Sequence, residues 1–122
     1  MNIALWVVQV LLAVLFVFAG ALKVFQYDRA RAMLPWVKDV PRGLVTFIGT
    51  AEILGGLGLL LPALTGILPW LTPLAAVGLA TIMILAIGFH FTRREGQGMA
   101  ITAVLLVLAA FVVYGRYLVV PL

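Results

Sequence analysis

Long apolar segments alternate with short polar ones along the chain, and this pattern predicts four membrane-spanning helices. Each apolar run covers about 20 residues, the length that a helix needs to cross a bilayer. Their approximate bounds are residues 3–25, 44–61, 72–91 and 99–118. Strands of a membrane barrel would alternate polar and apolar positions, and these runs do not. We therefore expect an all-α integral membrane four-helix bundle, with residues 1–122 as a single transmembrane domain.

The first predicted connection, residues 26–43, differs in kind from the other two. Tryptophan and apolar side chains lie there beside basic ones, which is typical of a short interfacial segment on the membrane surface. Asp28 is placed to cap a short helix that extends to Val37. Pro35 and Pro41 limit such a helix to a turn or two.

The other two connections are short turns. Residues 62–69 form an uncharged one, punctuated by proline and glycine. Residues 92–98 form a polar one, whose glycines are expected to end one helix and precede the next. Pro73 is expected in the first turn of the third span.

The composition indicates that a lipid bilayer is the solvent of this chain. Hydrophobic residues make up 66% of it and charged residues 10%, whereas soluble domains are about half apolar and about a quarter charged. We expect the first span to be a retained helix and not a cleaved signal peptide. The residues before it carry no lysine or arginine, and the apolar run exceeds a usual signal core.

The distribution of basic residues predicts the orientation in the membrane. The first and third connections hold most of them, namely Arg29, Arg31, Lys38, Arg42, Arg93 and Arg94. Of the basic residues, only Arg116 lies near the opposite helix ends. The positive-inside rule then predicts cytoplasmic basic loops and both termini outside, in the plasma (inner) membrane if the protein is bacterial.

Several chemistries are excluded by composition. The sequence has no cysteine, no serine and a single histidine. Cysteine or serine nucleophiles and a bis-histidine haem on this chain are therefore ruled out, and no residue cluster has the spacing of a metal site. Nucleic-acid binding is not expected, because the basic residues are not spread over one surface.

Polar residues inside the spans are the candidate functional positions, since ionisable groups within a bilayer are costly. Glu52 lies about 12 Å inside its span, and Lys23 is its best candidate partner. His90 is expected at a similar depth. Gln9 and Arg116 belong near the opposite surface.

Helical spacing places these residues on stripes with small side chains. The first stripe consists of Gln9, Ala13, Phe16, Gly20 and Lys23, and the second of Gly49, Glu52 and Gly56. Residues three or four apart share a helix face, and glycine there allows close packing. We expect Gly20 to face Gly49 beside the Lys23–Glu52 level, with Gly56 as a further packing position.

Structural interpretations of the same residues stay open. Lys23 and Glu52 are equally well explained as a buried ion pair that only sets helix register. Lys23 alone is long enough to snorkel to the interface. His90 lies where its span ends, so an interfacial, non-catalytic position is also consistent with the sequence.

Four strings of residues together resemble the DoxX-like membrane proteins. They are FAGALK at 18–23, IGTAEILGGLGLLLP at 48–62, LTPLAAVGLATIMILAIGFH at 71–90 and YGR at 114–116. The resemblance covers nearly all the chain and implies a four-helix integral membrane protein. It also implies a link to redox metabolism, because relatives include the small membrane subunit of a thiosulfate–quinone oxidoreductase and a component associated with oxidative-stress complexes.

The resemblance implies importance, but no catalytic role, for four positions. These are Lys23, Glu52, His90 and Arg116. Two functions from different classes follow as hypotheses, and whether the chain is an enzyme stays undetermined.

The first hypothesis is a membrane subunit or small-molecule site with a quinone as the favoured ligand. Lys23 or His90 would bond the head-group carbonyls, and Glu52 would exchange protons with the ring. No redox centre is apparent in the sequence, so a redox-protein partner or a separate cofactor would supply the electrons.

The second hypothesis is a non-catalytic interaction or assembly module for a membrane or peripheral partner. Its basic loops would attract anionic lipid or an acidic protein surface. Homo-oligomers are also open, because glycine-rich helix faces pack equally well within a bundle and between chains.

Overall fold

The computed structural model describes residues 2–34 and 36–121. It is 87% helical, with no strand among the described residues. The five α-helices are α1 (Asn2–Phe25), α2 (Tyr27–Met33), α3 (Arg42–Thr65), α4 (Leu71–Thr92) and α5 (Gly96–Tyr114). A 3₁₀ turn at Val37–Asp39 precedes α3, and a π-helical turn at Gly115–Val119 extends α5.

The four long helices are long and apolar enough to cross a membrane. This confirms the predicted all-α four-helix membrane bundle. Side by side, α1 packs against α3, α3 against α4, and α4 against α5. Large apolar side chains cover the outer faces of all four, as lipid-facing surfaces require.

The alternating direction of the helices gives the bundle two distinct ends. At the terminal end, where α1 begins and α5 ends, Arg116 Nη1 donates to Asn2 Oδ1 at 2.8 Å. At the loop end, the first and third connections meet, and Arg93 Nη1 lies 2.9 Å from Asp39 Oδ2. Both basic loops therefore share one end, and the two ends of the chain share the other.

An apolar core joins the four long helices between these ends. Its buried side chains include Leu12, Phe16, Leu59, Leu79, Met83, Ala109 and Val112. The core separates polar groups near the loop end from polar groups near the terminal end.

The prediction that Pro62 belongs to the second connection is wrong. Helix α3 continues through Pro62 to Thr65, and the turn begins at Gly66, whose φ of 71° is left-handed. Proline inside a helix removes one N–H donor, which neighbouring helices can compensate. The acceptor left free by Pro62 is the Gly58 carbonyl, and the next carbonyl, that of Leu59, accepts a hydrogen bond from Gln9 Nε2 at 2.7 Å.

The prediction that the glycines of the third connection end one helix and precede the next is also wrong. Gly96 and Gly98 both lie within α5, and the left-handed residue is Arg94, with φ 58°. The Glu95 N–H closes this turn by donating to the His90 carbonyl at 3.0 Å. Gly98 instead makes room for the His90 ring, since a Cβ there would lie 2.7 Å from Nδ1.

The short helix in the first connection is present, but Asp28 does not cap it. The N-cap position is Gln26, and no side chain makes a cap hydrogen bond there. Asp28 lies in the first turn, where its charge suits the helix dipole. The helix ends at Met33, so Val37 lies in the separate 3₁₀ turn, where it is buried. Pro35 lies outside the described residues.

Candidate functional site

A buried ion pair joins α1 and α3 near the loop end. Lys23 Nζ lies 2.6 Å from Glu52 Oε1. Lys23 is 6% exposed and Glu52 is 4% exposed. The pairing expected from the sequence is therefore present, and Lys23 does not snorkel to the interface.

The directions of the two helices explain why these side chains meet. Side chains on an α-helix lean toward its N-terminus. On α1 this directs Lys23 away from the loop end and into the bundle. On the antiparallel α3 it directs Glu52 back toward the loop end. The ammonium and the carboxylate thus converge from opposite directions.

Glycines allow the two helix backbones to approach at this level. A Cβ on Gly49 would lie 2.8 Å from the carbonyl oxygen of Gly20 and 2.9 Å from Lys23 Cβ. A Cβ on Gly20 would overlap the Gly49 carbonyl oxygen. Further along α3, a Cβ on Gly56 would lie 3.0 Å from the Ala13 carbonyl oxygen. The three predicted packing positions therefore form one close α1–α3 seam, which surrounds the ion pair with backbone and excludes water.

Trp36 covers the ion pair from the first connection. Its ring centroid lies 5.7 Å from Lys23 Nζ, within the range of a cation–π contact. The same ring packs edge-on against Phe89 of α4, with centroids 5.9 Å apart. The interfacial segment thus closes the loop end of the bundle over the buried charges.

His90 belongs to a different polar group from the one predicted. Its Nδ1 lies 3.0 Å from Glu95 Oε1, and among the described residues it makes no hydrogen bond to Lys23 or Glu52. Arg93 Nε donates to the same Glu95 oxygen at 3.0 Å. The tight turn after α4 brings Glu95 back onto the helix end, which the sequence separation of five residues does not reveal.

The pKa values of Glu95 and Arg93 are shifted by the charged groups that surround them at the loop end. The hydrogen bond from His90, followed by that from Arg93, holds the pKa of the Glu95 carboxyl below its ordinary value. The hydrogen bond to Asp39 raises the pKa of Arg93, and the hydrogen bond to Glu95 raises it further. The charges of the two loops therefore hold one another at the loop end.

A second buried polar group lies at the terminal end. Arg116 is 2% exposed, and its Nε donates to Gln9 Oε1 at 2.6 Å. Its Nη1 donates to Asn2 Oδ1 and, at 3.2 Å, to the Val120 carbonyl oxygen. The sequence places Gln9 and Arg116 near the same surface but does not predict this bond. One feature of the sequence could have predicted this bond: no acidic residue lies near Gln9 or Arg116, so the amide is the available acceptor for the guanidinium.

A groove between α3 and α4 lies on the face of α3 that turns away from α1. Its volume is about 420 Å³, and its lining is apolar and rich in glycine, including Gly55, Gly58 and Gly78. Lys23, Glu52 and His90 do not line it. The groove and the ion pair are therefore separate features on two faces of one helix.

Fold and site together define a multi-pass integral membrane protein with charges buried between its spans. The DoxX-like family model matches residues 7–112, and the chain belongs to this family. No curated protein and no solved structure matches the chain. The family match includes Lys23, Glu52 and His90 and ends before Arg116. Functional roles for these residues stay predictions.

Proposed function

We propose that this DoxX-like chain is a membrane subunit of a redox assembly and that it binds a quinone-type molecule in the α3–α4 groove. The groove is the observation that carries this proposal. Its volume of about 420 Å³ falls in the range of roughly 300–1,000 Å³ that is typical of small-molecule pockets. It opens on the outer surface of the spans, so a lipid-soluble ligand can enter from the bilayer.

One backbone group offers polarity in this apolar lining. Pro62 has no N–H, so the Gly58 carbonyl cannot accept the regular helical hydrogen bond from that position. Gly58 and Pro62 both line the groove. A reduced quinone carries hydroxyl donors that can bond such an acceptor, while its ring packs against Leu74 and Leu79.

In this proposal the Lys23–Glu52 pair is structural and does not bind the head group. Each of the two side chains is bonded to the other and closed from solvent. Their role is to hold α1 and α3 in register, which is a well-attested use of buried ion pairs. Electrons are assigned to a redox partner or a separate cofactor, because the chain offers no cysteine and only one histidine.

The test is titration of the detergent-solubilised protein with a short-chain menaquinone analogue. Gly78→Leu fills the groove without a steric clash, because a Cβ at Gly78 meets nothing within 4 Å. We expect saturable binding that Gly78→Leu abolishes. The matched control is Gly88→Leu, which makes the same change on α4 where a Cβ also meets nothing within 4 Å, outside the groove. Binding that survives Gly78→Leu but is lost in Glu52→Gln would contradict binding in the groove. It would indicate that the head group binds at the Lys23–Glu52 pair.

The loop end favours a second candidate function, an assembly module that docks a peripheral partner with an acidic surface. Its exposed basic side chains are Arg29, Arg31, Lys38, Arg42 and Arg94. We expect the double variant Arg29→Glu with Arg31→Glu to lose a stoichiometric partner that co-purifies from native membranes. A partner retained by this variant would contradict docking through these charges.

We also propose that the basic loops face the cytoplasm and the termini face outside, in the plasma (inner) membrane if the protein is bacterial. The bias of lysine and arginine toward one end supports this orientation. Because the chain has no cysteine, Lys38→Cys and Pro121→Cys provide clean labelling sites. In intact cells, an impermeant maleimide should label Pro121→Cys and spare Lys38→Cys, and the reverse pattern would overturn the orientation.

A further inference from the structure

We propose that the terminal end binds the phosphate group of an anionic membrane phospholipid at Arg116, with one acyl chain lying along α1. This site is independent of the α3–α4 groove. It rests on a buried charge that no acidic side chain balances, on a donor of that charge without a partner among the described residues, and on an adjacent apolar groove.

The charge of Arg116 has no acidic side chain to balance it. The sequence holds four acidic residues, and all lie toward the loop end, namely Asp28, Asp39, Glu52 and Glu95. Glu52 is bonded to Lys23. The bonds that Arg116 does make go to neutral groups of Gln9, Asn2 and Val120. A buried cation normally requires an anion, so its counter-charge must come from outside these side chains.

The free donor of Arg116 defines where that anion would bind. Within residues 2–34 and 36–121, Nη2 has no hydrogen-bond partner although it is buried. Because Nε and Nη1 are already bonded, Nη2 is the nitrogen that can donate to a phosphate oxygen in a charge-assisted hydrogen bond. The Thr72 hydroxyl is also buried without a partner among the described residues, in the first turn of α4 at the same end. Helix α4 contacts the π-helical turn that carries Arg116.

Two side chains, Trp6 and Asn2, lie between Arg116 and the terminal end of the bundle. The Trp6 ring lies 5.4 Å from Arg116 Cζ and is half-buried, while Asn2 is exposed. The guanidinium therefore lies directly behind the Trp6 ring, at the end of the bundle where α1 begins.

An apolar groove begins at the same tryptophan. It has a volume of about 490 Å³ and is lined by Trp6, Val7, Val10, Leu11 and Val14 of α1. From Trp6 to Val14 it extends about 12 Å along the helix. Trp6 thus lies between the polar site and a shallow apolar surface on the outer side of α1. This arrangement matches a phospholipid, in which a phosphate group is linked to an acyl chain. A free phosphate ion would use the polar site alone.

The experiment uses the intact chain in dodecylmaltoside with added dioleoylphosphatidylglycerol. In a Trp36→Phe, Trp70→Phe background, Trp6 is the remaining tryptophan, and its fluorescence reports binding. We expect a saturable change in Trp6 fluorescence on addition of phosphatidylglycerol, with apparent affinity at least about tenfold weaker in Arg116→Gln, because the charged donor is lost. Arg94→Gln is the matched control, since it removes an exposed arginine at the other end, and we expect no change from it.

Two further ligands distinguish the sources of the phosphate. Dioleoylglycerol has the same chains without phosphate, and inorganic phosphate has no chains. We expect neither to bind with comparable affinity, and equal binding of either would overturn the lipid assignment. Val10→Phe enlarges a side chain of the α1 groove while leaving Arg116 intact and Trp6 as the remaining tryptophan, which guards against misfolding of the arginine variant. Unchanged phosphatidylglycerol affinity in folded Val10→Phe would also overturn it.

Discussion

At the loop end of the bundle, the buried ammonium of Lys23 meets a carboxylate, whereas at the terminal end the buried guanidinium of Arg116 meets amides and a backbone carbonyl. The first arrangement is charge-balanced and enclosed by glycine-packed backbone and by Trp36. In the second, the described partners of the guanidinium are all neutral, and no acidic side chain lies at this end. Deep in the bilayer a cation needs a fixed counter-ion, while near the interface it can rely on neutral acceptors and on lipid.

Removing the loop-end carboxylate should produce the largest effect. Glu52→Gln leaves Lys23 buried without its counter-charge, and breaking such a pair costs about 3–5 kcal/mol of unfolding free energy. Denaturation in mixed micelles, followed by circular dichroism, measures it. Glu95→Gln is the control, because it removes a surface carboxylate and should cost much less. Comparable losses in the two variants would show that Glu52 is not specially stabilised.

Removing the terminal-end amide should have a smaller effect. Gln9→Leu deprives Arg116 of its Nε acceptor and the Leu59 carbonyl of its donor. We expect a loss of about 1.5–3 kcal/mol, since bonds to charged groups are worth about that much. The same denaturation assay checks it, with Gln97→Leu at an exposed position of α5 as the control. A loss equal to that of Glu52→Gln would remove the difference between the two ends.

Separating the α1–α3 seam tests whether the backbone encloses the loop-end pair. Gly49→Ala places a methyl group 2.9 Å from Lys23 Cβ, and overpacking of this kind costs about 1–3 kcal/mol. Gly43→Ala on the same helix meets nothing within 4 Å and should be neutral or slightly stabilising. Thermal unfolding of both variants separates the two cases. Equal melting temperatures would contradict the close approach.

The smallest effect concerns pH and the surface group at the loop end. Bonds from His90 and Arg93 lower the pKa of Glu95 in the folded chain. A lowered folded-state pKa gives stability that is present above the unfolded-state pKa of 4.5 and is lost as pH falls through the folded value. As pH is lowered from above 4.5 to below it, the melting temperature should therefore fall less steeply in Glu95→Gln than in the wild type. Parallel pH profiles would show that Glu95 contributes nothing to this dependence.

The spans and the first ion pair were predictable because their signals are local. Apolar run length defined four helices, and the three- and four-residue spacing of Gly20, Lys23, Gly49 and Glu52 put them on facing stripes. The antiparallel course of α1 and α3 then brings the charges together. These inferences need only helix geometry and the cost of charge in lipid.

The errors arose where a local rule was compensated by distant residues. Helix α3 continues through Pro62 where it packs against its neighbours, and Gln9, 50 residues away, bonds the Leu59 carbonyl beside the one that Pro62 leaves free. Arg94 adopts the left-handed conformation expected of glycine, because Glu95 is tied to His90 and Arg93. The Arg116–Gln9 bond joins residues 107 positions apart. Such contacts depend on how the helices rotate, which sequence periodicity alone does not determine.

The most direct measurement of the contrast between the two ends is a double-mutant cycle at Lys23 and Glu52. It compares Glu52→Gln, Lys23→Met and the double variant by denaturation in mixed micelles. If the pair is a structural pin, the double variant should recover much of the loss of Glu52→Gln, with a coupling free energy of about 2 kcal/mol or more. Additive losses, with no coupling between the two positions, would contradict the charge-balanced pair at the loop end.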